Sequence, residues 1–294
     1  LSYPAGDWTP LAVDASTRKY FKGTWEGRPA LLADFGEDAD GLARFVAVRG
    51  LLDAATVPVP AIFSAEPEQG WVVQEHVRGW PLSKARWTAG LQDKLCDIAD
   101  RIAAVASWPD GPERLELDAP RLRFELAFFR LHFVEGYLNA GSAPELTDAL
   151  DALADEVASY PRVLAHRDLH SENVLGTAGE GLVLIDFQDA LLAPRAYDMA
   201  SLAVDPYRSQ DPRLAEHFRR TWLSRAGAQP EEFDRTALQR ALKALGTFGY
   251  QVTRRKRARY MRFVAPQARR AQELLAVAPS SLACLGTLLS EASA

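Results

Sequence analysis

Leu164-Ala165-His166-Arg167-Asp168-Leu169-His170-Ser171-Glu172-Asn173-Val174-Leu175 is the stretch on which the fold reading turns. It passes from an apolar, strand-like run into a polar loop and back to an apolar pair. A glycine-bearing turn, Gly176 to Gly181, follows, and then Leu182-Val183-Leu184-Ile185-Asp186-Phe187, a second apolar run closed by an acid. A strand, a loop, a hairpin and a strand in this order bring Asp168, Asn173 and Asp186 to one edge. These side chains offer oxygen, with no thiolate and no obligatory imidazole. Such a donor set suits a hard divalent cation that also carries phosphate ligands, which means Mg²⁺ rather than zinc.

Two blander readings of the same island stand beside this one. His166 and His170 are four residues apart, a zinc-ligand spacing on a helix, but the flanking runs are strand-like and no third ligand is evident. A histidine pair that merely packs beside the loop would leave the tight acidic cluster without a reason.

Outward from the island, the chain changes character. Before residue 80 it reads as strands, Leu11 to Gly23, Arg28 to Phe35 and Gly70 to Val77, broken by turns such as Glu26-Gly27. One helix, Leu42 to Leu52, interrupts them and is stopped by Val57-Pro58-Val59-Pro60. From Thr88, a plausible N-cap, the period becomes helical, with Leu91, Leu95, Ile98, Ile102 and Val105 on one face. Arg121 to Asn139 is a second helix whose Phe124, Phe128, Phe129, Phe133 and Tyr137 read as core packing, and Glu145 to Tyr160 is a third. Helices resume after residue 195. The expected architecture is α+β and two-lobed: residues 1–80 form a small sheet-plus-helix lobe, and residues 81–294 form a large, mainly helical one.

The 294 residues are enough for roughly two structural units and a sizeable core. With 39 acidic and 34 basic residues the net charge is −5, which argues against non-specific nucleic-acid binding as the main role, since duplex affinity comes largely from neutralised phosphates, and no specific nucleic-acid partner is expected. Hydrophobic residues at 48% and charged residues at 25% exclude a mostly disordered chain. Cys96 and Cys284 are too few for a disulfide framework, so a cytoplasmic protein with reduced thiols is expected. Leu274 to Ser290, interrupted by Pro279, makes a poor membrane span, and Leu1-Ser2-Tyr3-Pro4 has no export signature. Opening on Leu1 instead of Met, the chain is expected to begin inside a longer gene product.

The pattern His166-x-Asp168-x-x-x-x-Asn173, followed by Asp186 at a strand end, resembles the catalytic core of the protein-kinase-like superfamily. The variant spelled by Asp168-x-His170 and by Asp186-Phe187-Gln188-Asp189-Ala190 is similar to aminoglycoside phosphotransferases and choline-kinase-like small-molecule kinases. No Ala-Pro-Glu segment follows, which speaks against a protein substrate. A nearer resemblance is to the anomeric sugar kinases that phosphorylate N-acetylmuramate and N-acetylglucosamine in cell-wall recycling. It is carried by Val13 to Phe21, Phe45 to Leu52, the stretch from His166 to Leu202, and Leu242-Lys243-Ala244-Leu245-Gly246-Thr247-Phe248.

The resemblance implies an ATP- and Mg²⁺-dependent kinase acting on a small-molecule sugar, and a monomer is expected. Asp168 would orient the acceptor hydroxyl with His170 beside it, and Asn173 and Asp186 would hold metal. A small-residue loop, Ala15-Ser16-Thr17, would meet phosphate oxygens, while the backbone of Glu75 and Val77 would pair with adenine. Asp198 would support the catalytic loop, and Asp205, Gln188, Asp189 and Glu125 are candidates for contacting the acceptor. One departure stands out: the usual strand lysine and helix glutamate are missing from Pro29-Ala30-Leu31-Leu32-Ala33-Asp34 and from the Phe45 position. Arg18 or Lys19 is expected to supply the missing positive charge. The basic run Arg254-Arg255-Lys256-Arg257, with Arg259 and Arg262, reads first as a solvated helix end, and otherwise as a seat for an anionic acceptor or a contact for nucleic acid or membrane. Two rival functions remain open at this point: an aminoglycoside or choline-type phosphotransferase, and a non-catalytic nucleotide-binding module.

Overall fold

The computed structural model describes residues 3–11, 18–105, 108, 114–141, 143–179, 181–208 and 212–293. In chain order the elements are β1 (Thr9–Leu11), β2 (Lys19–Trp25), β3 (Arg28–Asp34), α1 (Ala39–Ala54), β4 (Ile62–Glu66), β5 (Trp71–Glu75), β6 (Trp80–Pro81) and α2 (Ala89–Ala103). Then come α3 (Ala119–Phe129), α4 (Pro144–Ser159), β7 (Arg162–Ala165), β8 (Val174–Gly176), β9 (Leu182–Leu184) and β10 (Leu191–Pro194). Five helices follow: α5 (Tyr197–Ala203), α6 (Pro212–Ala226), α7 (Pro230–Thr253), α8 (Val264–Leu275) and α9 (Leu285–Ser293). The α+β class holds. Among the described residues no helix is long and apolar enough to cross a membrane.

The chain forms two compact units. The first comprises Leu1–Arg86, Ala104–Arg114 and Glu172–Ala190; the second comprises Trp87–Ala103, Leu115–Ser171 and Leu191–Ala294. The first unit is built on a five-stranded sheet in the order β1-β2-β3-β5-β4, and its described pairings are antiparallel. Glu26 and Gly27, at φ 49° and 76°, make the two-residue turn joining β2 to β3; both angles are left-handed, as a tight hairpin with matching strand twist requires. Ala30, Leu32, Trp71 and Val73 alternate into the sheet core. Helix α1 starts where the Asp38 side chain accepts the Gly41 N–H at 2.9 Å and ends at left-handed Thr56 just before Val57-Pro58. A second small sheet, β6-β8-β9, carries the hairpin between Val174 and Leu184.

The Leu11–Gly23 strand expected from sequence is two strands, β1 and β2, and residues 12–17 lie outside the described residues. The phosphate-loop candidates Ala15, Ser16 and Thr17 fall in that segment.

The second unit is helical around α7, whose residues Phe233, Ala237, Leu238, Ala241, Leu242, Leu245 and Phe248 are buried. Burial on nearly every side brings charges inward, and each has a partner: Glu232 with Arg195 at 2.8 Å, and Asp234 with Arg219 at 2.7 Å. Gly246 and Gly249 let α7 press against α3 and the π-helical turn Arg130–Glu135 that continues it; a Cβ on Gly249 would stand 2.3 Å from the His132 carbonyl oxygen, and one on Gly246 would stand 2.7 Å from Phe129 Cα. The aromatic face of this helix is only partly core. Phe129 and Phe133 are buried, whereas Phe124 is 71% exposed, because the side that meets α7 and α4 turns Phe124 to solvent. Strand β10, which periodicity alone passes over, pairs antiparallel with β7.

Candidate active site

The chemistry begins where β7 ends. His166 is wholly buried, and Arg167 adopts φ 76°, a conformation that few residues with a side chain enter. The turn is held from α5: Asp198 accepts the backbone N–H of His166 at 2.7 Å and that of Arg167 at 3.1 Å. Burial raises the Asp198 carboxyl above its ordinary range, against the pull of His166 and those two N–H groups. Asp205 braces the loop farther on, accepting the N–H of Ser171 at 2.7 Å and of Tyr207 at 2.9 Å. It is 1% exposed, and burial pushes its carboxyl up to about 6. In this structure Asp205, a candidate for contacting the acceptor, is engaged by the loop itself. Both of its oxygens serve backbone N–H groups that would otherwise be buried without acceptors.

Asp168 sits in the loop so held, its side chain about a third exposed. Lys243 Nζ and Arg240 Nη2, both on α7, lie 3.4 and 3.5 Å from its Oδ1. Burial alone would raise this carboxyl, but the Lys243 and Arg240 charges, with His170 and Arg167 adding to them, hold it far below the usual carboxylate range. Glu125, on α3, is 7% exposed. It accepts from Arg167 Nη2 at 3.1 Å and Gln239 Nε2 at 2.8 Å, with Lys243 Nζ at 3.4 Å. Burial works against its charge, yet Lys243, Arg167 and Arg240 keep its carboxyl below the ordinary value. Glu125, a candidate for contacting the acceptor, is thus enclosed by partners from the loop and from α7. Arg240 also donates to Ser201 Oγ and Tyr197 OH, each at 2.9 Å. Three cations (Arg167, Arg240, Lys243) thus surround two carboxylates (Asp168, Glu125), and the cluster is net positive by one charge.

A pocket of about 510 Å³, part of it open to solvent, lies over this cluster and is lined by Asp168, His170, Tyr207, Arg240, Lys243 and Thr247 among others. His170 meets the Tyr207 ring edge-on at 5.2 Å between centroids. Burial lowers its imidazole to about 4 despite the attraction of Asp168, so it is neutral near pH 7. The basic run from Arg254 to Arg262 does not line the pocket. Arg254, Arg255 and Lys256 are exposed just past the end of α7, and Arg262 stacks over Phe263 at 4.6 Å.

In the first unit, Asn173 precedes β8 and Asp186 follows β9. Asn173 Nδ2 lies 3.5 Å from Asp186 Oδ2, and Gln188 Nε2 donates to Asp186 Oδ1 at 2.5 Å. Asp186 is exposed and held at φ 63°, a left-handed backbone whose cost the structure around it sustains. The Asn173 amide can present its oxygen in place of its nitrogen by a half-turn. The pair therefore offers oxygen donors suited to a hard cation that takes most of its remaining ligands from phosphate and water. Among the described residues no group of three His, Cys, Asp or Glu is placed to hold a metal ion by itself. Gln188 is buried beside Asp186, and Asp189 is exposed in the following turn.

Phe45, at the position expected for a glutamate, is 2% exposed and packs on Phe35 at 5.6 Å and on Phe187 at 4.9 Å. The Arg18 guanidinium lies over the Phe35 ring at 4.7 Å. An aromatic stack under a cation stands where related kinases carry a lysine–glutamate pair that this sequence lacks. Arg18 also hydrogen-bonds Tyr20, whose hydroxyl feels the charges of Asp186 and Asp189, which puts Arg18 at the Asp186 end of the unit. Lys19 opens β2, exposed. Glu75 closes β5 and accepts the Ala61 N–H at 3.3 Å through its side chain, and Val77 follows, half-buried.

Reading the sequence alone missed Arg240 and Lys243 as site residues. A signal existed: Arg240, Lys243, Ala244 and Thr247 recur at the spacing of one helix face, and that face lines the pocket.

Comparison with known proteins places the chain among relatives of one kind. The model of the "Phosphotransferase enzyme family" matches residues 7–239. The N-acetylmuramate/N-acetylglucosamine kinase of Pseudomonas putida is 30% identical over 98% of this chain and 89% of that protein. The kinase of the same name from Pseudomonas aeruginosa is 30% identical over 97% and 88%. Among solved structures, an aminoglycoside phosphotransferase in ternary complex with ADP and hygromycin B is similar with a TM-score of 0.59 at 19% identity, covering 93% of this chain and 95% of its own. Plasmodium vivax ethanolamine kinase also reaches a TM-score of 0.59, at 15% identity over 90% of this chain and 82% of its own. At these identities the structural likeness concerns the fold, which is that of a kinase-like phosphotransferase.

Proposed function

The chain belongs to the phosphotransferase enzyme family, and from that premise we propose that it transfers the γ-phosphoryl group of ATP, with Mg²⁺, to the anomeric hydroxyl of N-acetylglucosamine or N-acetylmuramate. The observation that carries this reading is the sign of the pocket over Asp168. Arg240 and Lys243 line it, and His170 adds no negative charge. Polycationic aminoglycosides and quaternary or primary ammonium acceptors would meet like charge there, whereas a neutral or carboxylate-bearing sugar would not. The two Pseudomonas relatives, similar over nearly the full chain, carry names that fit such an acceptor.

In this reading Asp168 accepts a hydrogen bond from the acceptor hydroxyl and turns its oxygen toward the phosphorus. A carboxylate held so strongly ionised is a weak base. A hemiacetal hydroxyl is more acidic than an ordinary alcohol, so positioning is enough. Neutral His170 packs beside the loop and keeps the pocket free of a competing charge. Asn173 and Asp186 would hold Mg²⁺, which when bound neutralises charge on the phosphates. Arg18 supplies the cation for which no strand lysine is present, with Lys19 as the alternative. Backbone groups of Glu75 and Val77 take the adenine edge. Free Cys96 and Cys284 accord with a reducing cytoplasm.

The test is a panel of ATP with N-acetylglucosamine, N-acetylmuramate, choline or kanamycin, followed by phosphorus NMR. A sugar 1-phosphate resonance is expected. Phosphorylation of kanamycin or choline instead would overturn the acceptor assignment, and nucleotide binding without product would overturn catalysis.

A further inference from the structure

Every candidate above that came from the loop motif lies on the loop or near it in sequence, but the charges that meet Asp168 come from α7. Lys243 is 75 residues away from Asp168, and its Nζ is 3.4 Å from Asp168 Oδ1 and 3.4 Å from Glu125 Oε1. The lysine side chain is 19% exposed and lines the same pocket as Asp168. We propose that Lys243 is a positioning residue, its ammonium shared between Asp168 and Glu125 so that the Asp168 carboxylate is fixed in the direction from which it addresses the acceptor hydroxyl. This rests on the phosphotransfer reading above.

Three features make the assignment more than proximity. First, Lys243 has two anionic partners on different elements, α3 and the catalytic loop, so it ties the loop to the scaffold as well as neutralising it. Second, the distance from α7 to α3 is set by backbone: Gly246 and Gly249, three and six residues beyond Lys243, meet Phe129 and His132 with no room for a Cβ. The lysine therefore arrives at a fixed height over Glu125. Third, the other charged or titratable groups facing Asp168 have less freedom than Lys243. Arg167 is paired with Glu125; Arg240 turns Nη2 to Asp168 at 3.5 Å but is pinned through its other nitrogens to Ser201 and Tyr197; and His170 is neutral. Lys243, with three donors on a flexible stem, is the cation that can follow Asp168 as its hydrogen bond to the acceptor forms. In the transfer itself the acceptor oxygen bonds to the γ-phosphorus, the bond to the β,γ-bridging oxygen breaks with its electron pair leaving on ADP, and the hydroxyl proton, hydrogen-bonded to Asp168 until the new bond forms, is lost to solvent.

Steady-state kinetics with ATP and N-acetylglucosamine tests this, because an uncharged acceptor removes any direct ion pair with the lysine. For Lys243→Met, and for Lys243→Gln in case the methionine variant does not fold, kcat is expected to fall about ten- to a hundredfold with the acceptor KM within about twofold; Lys243→Arg is expected to recover much of it. A raised KM at unchanged kcat would make Lys243 an acceptor ligand and overturn the proposal, as would wild-type kcat in both variants. A second measurement needs no turnover. In ¹⁵N-labelled protein the Lys243 ammonium resonance, identified by its loss in Lys243→Arg, is expected to be protected from solvent exchange and to lose that protection in Glu125→Gln and in Asp168→Asn. Exchange as fast as that of surface lysines would refute the shared ammonium even if the enzyme is active. Absence of any sugar phosphate from the wild type would instead refute the acceptor reading and leave the resonance to decide on the lysine.

Discussion

The loop that presents Asp168 depends on a carboxylate that belongs to another element, and removing it gives a sharp test. Asp198 accepts two backbone N–H groups, from His166 at 2.7 Å and Arg167 at 3.1 Å, in a buried setting. In Asp198→Ala both donors lose their acceptor. A buried donor left unpaired costs about 1–3 kcal/mol, so the pair costs roughly 2–6 kcal/mol. Relief of the buried carboxylate's own desolvation offsets part of this, and about 2–4 kcal/mol is expected to remain. The left-handed Arg167 adds to the effect, since a strained φ of this kind costs on the order of 1–3 kcal/mol and persists only while its surroundings impose it. Asp198→Asn keeps one acceptor and is expected to lose about half as much. At roughly 2–4 °C per kcal/mol, the alanine variant should melt about 5–15 °C below wild type. Because the loop is then free to move Asp168 by an ångström or so, kcat should drop about a hundredfold. Thermal melts and urea titrations give the stability, and the ATP-dependent sugar assay gives kcat. If Asp198→Ala melts within a degree of wild type and turns over at the same rate, the loop supports itself and the account of its geometry is wrong.

Three further perturbations have directions fixed by the structure. Gly249→Ala would set a Cβ 2.3 Å from the His132 carbonyl oxygen, so it should destabilise by about 1–3 kcal/mol or more, read as a lowered melting temperature; a neutral result would mean α7 and the π-helical turn separate easily. His170 resists protonation in the fold, with its imidazole at about 4 against an ordinary 6.5, so the unfolded chain binds the extra proton and stability should fall as pH drops from 6.5 towards 4. The full effect is on the order of 3 kcal/mol, and His170→Gln should remove that slope from urea titrations at pH 7 and pH 4.5. Asp186→Ala should abolish turnover and the Mg²⁺ dependence of nucleotide affinity measured by calorimetry, and chelation of divalent ions should silence the wild type; Mg²⁺-dependent nucleotide binding that survives in the variant would place the ion elsewhere.

Much of this was legible in the sequence because local rules govern it. The helical period found α2 and its cap, where Thr88 Oγ accepts the Leu91 N–H at 3.3 Å, and the turn residues Glu26-Gly27 marked the β2–β3 hairpin. The strand-loop-hairpin pattern located the Asn173–Asp186 pair. Contacts made across long stretches of chain were not legible. Glu125 meets Gln239 from 114 residues away, and Asp205 meets Ser171 from 34, so the partners that bury each acid could not be read from its neighbours in sequence. Lys243 failed the other way. A helix period shows which residues share a face but not what lies opposite, and a polar face on a long helix reads as solvent-exposed until its partner is known. Phe124 shows the same limit for apolar residues, since five aromatics on one helix cannot all reach the core when the helix buries a single side.

The aromatic grip on α1 bears on how such an enzyme can be controlled. Phe45 is wedged against Phe35 and Phe187, with Arg18 closing the stack. In kinases where this helix is latched by a lysine and a glutamate, the latch can be opened by moving charge nearby, and regulation exploits that. A greasy wedge has no such handle. Phe45 itself carries no charge on which an added phosphate or a shift in pH could act, and the charge beside it, Arg18, sits over the Phe35 ring.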